Sequence, residues 1–214
     1  MKLIVSILSF ILFTANSCNL NFKRLNKFEQ AKTIINQQYG YGTLSTLSNY
    51  KKIHNYPQNS IVAYSCTDKG EPLFCFSSIS MHSRNIKANN SISLSVAEKN
   101  FKNAADARIT FIGNLEKIKD KNKEIKLKSK FLESHPDAFW SEFDDFSIYL
   151  MNDIKDLSIN GGFAKADKIN LDSYYKTSPD MISLKSNEIL DDLNFILKKY
   201  YEKYLKLKTK ITLK

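Results

Sequence analysis

The chain is poor in the residues that build covalent or metal frameworks. It holds three cysteines and three histidines among 214 residues. No two histidines fall at ligand spacing, which argues against a zinc-type centre. Cys66 and Cys75 flank one predicted turn on adjacent strands, where disulfide geometry is awkward, so they read as small core residues. Three cysteines used this way leave the redox compartment open. Internal repeats are absent. So is any apolar run long enough to span a bilayer unaided: Leu3 to Phe13 falls well below the roughly 20 residues required.

What is present suits one globular domain. Apolar residues make up 43% and charged residues 25%, ordinary values for a folded chain of this length. The formal net charge is +10. Much of that excess sits at the end, where Lys198, Lys199, Lys203, Lys206, Lys208, Lys210 and Lys214 stand against Glu202. With no zinc spacing, basic zipper or RNA motif beside the charge, nucleic acid is not an expected partner.

Lys2, the apolar run and the small residues Ala15 and Ser17 together read as a signal peptide over residues 1–17. An exported protein is expected: periplasmic, secreted, or held at a membrane as a lipoprotein through Cys18. Beyond this leader, apolar spacing predicts a helix over Asn26–Gln38 and strands at Thr43–Leu47, Asn59–Tyr64 and Pro72–Phe76. The turn residues Asp68, Lys69 and Gly70 make the last two strands look like a hairpin. A short helix over Ser78–Lys87 precedes strands at Ser91–Val96 and Arg108–Ile118. Helices are expected over Lys119–Lys130 and Phe131–Phe143, then two strands, Ser147–Met151 and Ile154–Ile159, and a tight turn at Gly161–Gly162. From Asn187 onward Ile189, Leu190, Leu193, Ile196, Leu197, Tyr200, Tyr204 and Leu207 recur at helical steps, with Ser186 as N-cap. The barrel, a second copy or a membrane surface would each suit that stripe.

Several segments in order carry a resemblance. Gly42–Leu47, Pro57–Tyr64 and Gly70–Phe74 are followed by Ser77-Ser78-Ile79-Ser80-Met81-His82-Ser83-Arg84-Asn85-Ile86, then Asn89–Leu94 and Ala107-Arg108-Ile109-Thr110-Phe111-Ile112-Gly113-Asn114-Leu115-Glu116. Leu132–Ala138, Phe143–Tyr149 and Gly161–Ala166 complete the series. Together they resemble the pyridoxamine 5′-phosphate oxidase-like split-barrel flavoproteins, in the heme-utilisation and CREG-type branch, from about Phe28 to Ala166. The resemblance implies a mainly β (α+β) fold: a six-stranded split β-barrel of the FMN-binding type over residues 26–175, with peripheral helices and a C-terminal amphipathic helix over 186–210. It also implies a homodimer.

A phosphate needs a fixed cation and several donors, best gathered where a helix begins. By resemblance, Ser77, Ser78, Ser80, His82, Arg84 and Asn85 grip the phosphate of FMN, Arg108 and Thr110 add a second contact, and Ser60, Val62 and Tyr64 lie near the flavin ring. A true pyridoxamine 5′-phosphate oxidase is not expected, since no histidine follows His135. The expected function is that of a flavin-dependent oxidoreductase or a heme-utilisation protein, with FMN as cofactor and heme as the other candidate ligand. The alternative is a secreted, non-catalytic CREG-like barrel that binds a protein or a membrane surface through its basic helix. No residue stands out as a general acid or base.

Overall fold

A computed structural model of the protein describes residues 25–212 apart from Asn100 and Phe163. The expected leader, residues 1–17, and Cys18 lie outside the described residues, as does Phe163 of the Gly-Gly-Phe motif.

Helix α1 (Lys27–Ile35) starts where Asn26 and Glu29 form a reciprocal capping box, satisfying amide groups the first turn leaves bare. Its Ala31, Ile34 and Ile35 are buried at helical spacing. Strands β1 (Tyr41–Leu47), β2 (Pro57–Ala63), β3 (Ser65–Cys66) and β4 (Pro72–Ser77) follow, with a short 3-10 turn at Lys51–Ile53. Then come α2 (Met81–Ala88), β5 (Ser91–Ala97), β6 (Arg108–Lys117), α3 (Lys121–Ser134), a second 3-10 turn at Phe139–Glu142, and β7 (Phe146–Asn160). The chain continues through β8 (Ala166–Lys168), α4 (Leu171–Lys176), α5 (Met181–Leu184) and α6 (Ser186–Thr212).

All eight strands join one antiparallel sheet in the order β2-β1-β5-β6-β7-β4-β3, with β8 added to β7. The sheet curls into a split-barrel-like shell. The strand count is eight rather than the expected six. Tyr64 divides one extended run into β2 and β3, which pair at opposite ends of the sheet, and β8 is a three-residue addition. The expected hairpin is corrected in the same way: β2 pairs with β1, and only Ser65 and Cys66 reach β4. Cys66 and Cys75 are free and buried.

Two further expectations change. Helix α3 stops at Ser134 and does not run on through Phe143, because the residue before Pro136 is pushed out of helical geometry. His135 there turns its ring against Phe131 and its Nε2 to the Tyr64 carbonyl at 2.8 Å. The two strands expected around residue 150 are one, β7. Its register against β6 shifts on either side of the Gly113–Asn114 pairing, where a side chain on Gly113 would overlap the Asp153 carbonyl.

The inner face of the sheet (Leu44, Leu94, Ile109, Phe111, Leu157) closes on α1 to form the main core. Truncating a fully buried ring such as Phe111 to alanine would cost roughly 3–5 kcal/mol. A second cluster on the opposite face of β4 and β7 packs Leu73, Ile148 and Leu150 under Phe131 of α3. Strand β4 is therefore buried on both sides. Across β1, β2, β5 and β6 the outer face keeps Tyr41, Thr43, Ile61, Ser95 and Ile112 exposed.

Candidate functional site

Strand β4 delivers the serine run to the start of α2. Ser80 caps that helix: its Oγ accepts from the Ser83 amide at 3.3 Å and donates to the Ser77 carbonyl at 2.8 Å. The Ser77 hydroxyl donates to the Asp145 carboxylate. These two hydroxyls hold the turn together. Ser78 is exposed, its amide donating to the Asp145 carbonyl at 2.8 Å.

Asn85 is 2% exposed and pins α2 to the sheet. Its amide nitrogen donates to Thr46 Oγ1 at 2.9 Å and Gln58 Oε1 at 3.0 Å, while its oxygen accepts from the Asn49 amide at 2.9 Å. His82 sits half-buried with its ring 4.4 Å from that of Phe76, and burial holds its pKa below the usual imidazole value. With these neighbours fixed, Arg84 projects from the exposed side of α2, and its guanidinium makes no hydrogen bond or ion pair among the described residues.

Arg84 lines an open cleft of about 1100 Å³ between α2, the end of β6 and the start of α3. Ser78, Lys87, Lys117, Lys119 and Lys123 line it as well. Five cations thus face Glu116 and Asp120, and the Asp120 carboxylate is occupied in capping α3, accepting from the Lys123 amide at 2.7 Å. None of the five cations is ion-paired among the described residues. Tyr149 forms part of the wall; its phenol bonds Ser83 and is pushed to higher pKa by burial. So dense a set of unpaired cations favours an anion.

The remaining expected residues fall elsewhere. Ser60 is half-buried on β2 opposite Leu44. Val62 is 6% exposed and packs in the main core. Tyr64 is fully buried, its hydroxyl donating to the Ile34 carbonyl at 3.2 Å, so its whole surface serves the core. Arg108 and Thr110 stand at the far end of β6, Arg108 nine residues from Lys117, or about 30 Å along the strand. There they line a separate pocket of about 570 Å³ with Ser158, Asn160, Asp167 and Lys168. The Arg108 guanidinium donates to the Ala104 carbonyl at 3.0 Å, and the Asn160 amide, oriented to satisfy both neighbours, accepts from it at 2.8 Å. Arg84 and Arg108 are not brought together within one chain.

Sequence reasoning passed over Lys87, Lys117, Lys119, Lys123 and Tyr149. Lys119 and Lys123 fell in the charged segment expected to be a helix, and nothing local marked the other three.

Comparison with known proteins bears on the architecture. The protein-family model described as "CREG, beta-barrel" matches residues 23–176. The non-canonical heme oxygenase HOZ of Arabidopsis thaliana chloroplasts is 34% identical over 125 residues, 58% of this chain and 37% of that protein. A heme binding protein from Mycobacterium smegmatis superposes with a TM-score of 0.64 at 22% identity, over 76% of this chain and 65% of that one. Campylobacter jejuni ChuZ superposes with a TM-score of 0.53 at 19% identity, over 62% and 55%. The matched region is thus less than two thirds of each relative's length, and the two structures speak to fold alone.

Proposed function

This chain belongs to the CREG β-barrel family, and on that premise we propose that it is a heme-handling split-barrel protein whose Arg84 cleft takes the anionic edge of the ligand. The observation that carries this reading is the set of five cations around Ser78 in one cleft, none ion-paired among the described residues. Its support from relatives is the name of the Arabidopsis protein.

The residues fit part of such a group. Arg84 offers a planar fork for a carboxylate or phosphate, and the lysines add point charges around it. The cleft lining contains no imidazole or thiol, so no role at an iron atom is assigned to it. When bound, heme supplies the redox chemistry. The protein's part at this cleft is to fix the acidic edge, with Ser78 and the Tyr149 wall limiting how it lies.

FMN is the second reading, favoured by the serine-rich run that leads into Arg84; its phosphate would use Ser78 and the same guanidinium. A pair of chains joined through the uncovered outer face of β1, β2, β5 and β6 belongs to the proposal. Ile61, 81% exposed, and Ile112 are exposed apolar residues of that face. Ile61→Lys or Ile112→Lys is expected to yield monomers by light scattering.

The test is a spectroscopic titration of hemin and of FMN into the wild-type protein and Arg84→Ala. Heme binding that weakens in the variant by about 1.5–3 kcal/mol, the scale of a charge-assisted contact, supports the proposal. The same loss with FMN alone selects the flavin reading. A folded wild-type protein that binds neither leaves a non-catalytic barrel acting through a partner.

A further inference from the structure

Helix α6 runs for 27 residues, about 40 Å. Every residue from Glu188 to Tyr201 is exposed, including Ile189, Leu190, Leu193, Ile196, Leu197 and Tyr200. At about 100° per residue, these six and Tyr201 share one arc of roughly 140°. Phe195 is the single large apolar residue of this stretch that falls outside it.

The spacing separates two kinds of occupant. Apolar positions step through 189, 193, 196 and 200, and the sequence continues at Tyr204, Leu207 and Ile211. The mean step is about 3.67 residues, nearer the 3.6 of a straight helix than the 3.5 of a left-handed coiled coil. A strict heptad would instead place Lys203 and Lys210 at the seam, where charge is destabilising. A broad, straight apolar arc matches a flat surface better than a narrow partner helix.

Charge identifies the surface. From Lys198 to Lys210 the sequence carries six lysines against Glu202. Tyrosines at 200, 201 and 204 suit the boundary between apolar and wet layers. Among the described residues no helix is long and apolar enough to cross a membrane. We infer that α6 lies along the surface of an anionic lipid membrane, its apolar arc in the acyl boundary and its lysines among acidic headgroups, so that the barrel is held at that surface. This goes beyond the cofactor reading and stands apart from it, since α6 lines no part of the Arg84 cleft.

The experiment is co-sedimentation of the full chain with vesicles of phosphatidylcholine alone or with added phosphatidylserine, at low and high salt. Leu193→Glu/Leu197→Glu and Lys198→Gln/Lys199→Gln serve as variants, each checked by circular dichroism and light scattering. We expect wild-type protein to pellet with the anionic vesicles, roughly tenfold less binding in each variant, and release by salt. Equal sedimentation with neutral vesicles, no sedimentation with either, or binding that both variants retain overturns the inference. So does an oligomer that Leu193→Glu/Leu197→Glu dissociates while lipid binding is absent. Heme or FMN affinity is measured on the same samples, so failure at the membrane is distinguishable from failure at the cleft.

Discussion

Arg84, on the helix after β4, and Arg108, at the start of β6, were both expected at one phosphate, the first as its grip and the second as an added contact, and the structure sets them apart. Arg108 donates to the Ala104 carbonyl and the Asn160 side chain, closing the loop before β6 onto the end of β7. Arg84 stands on an anchored helix, its guanidinium with no protein partner among the described residues, amid four lysines. A guanidinium whose donors are taken by its own chain holds structure together; one whose donors are open is available to a ligand. Residue type says nothing about which is which. The distinction comes from where the neighbouring carbonyls lie.

Among variants that bear on this comparison, the largest effect is expected at Asn85, the anchor of the helix that carries Arg84. Asn85→Ala leaves Thr46, Gln58 and the Asn49 amide without their buried partner, and should cost about 2–3 kcal/mol by chemical denaturation. If α2 is what holds Arg84 over the cleft, ligand affinity falls in the same variant. Arg84→Ala should weaken the anionic ligand by the 1.5–3 kcal/mol given above while leaving the denaturation midpoint in place. Arg108→Met should do the reverse, lowering stability by about 1 kcal/mol with affinity unchanged. A ligand that responds equally to both arginines would break the comparison and place the site across two chains.

The smallest effect concerns pH. Burial against Phe76 lowers the His82 pKa from its ordinary 6.5, so the folded state binds its proton less readily than the unfolded state does. The stability due to neutral His82 is therefore fully present above pH 6.5 and lost as pH falls below it. Thermal melts of wild type and His82→Phe from pH 8 to pH 5 should diverge in that direction, the variant losing less. Parallel curves would show that the imidazole is hydrated enough to titrate normally.

Much of the fold could be read from local signals. Asn26 with Glu29 marks a helix start by the hydrogen bonds those side chains can make. The alternation of Ile92, Leu94 and Val96 shows which face of β5 is buried. The two cysteines read as core residues and are so. Pairing was less legible. Asp68-Lys69-Gly70 signals a turn correctly, with Gly70 at φ 81°, yet a turn fixes only the residues beside it. The sequence did not show that β2 leaves the hairpin at Tyr64 to join β1. The polar pair Asn152 and Asp153 looked like a break in β7, because its role beside Asn114, a 2.7 Å contact with Asp153, depends on a strand distant in sequence.

The candidate site divides along the same line. Sequence by itself determined the residue kinds and the order of the motifs: the serine-rich run ending in Arg84, the alternation of β5, and the charged stripe of α6. These depend on contacts within a few residues, or on a periodicity that any reader of the chain can follow. Tertiary structure alone decided that Tyr64 belongs to the core, that Arg108 is spent on its own loop, and that Lys117, Lys119 and Lys123 stand around Arg84. Those outcomes depend on which strands lie side by side, and that is set by burying apolar faces from across the whole chain at once.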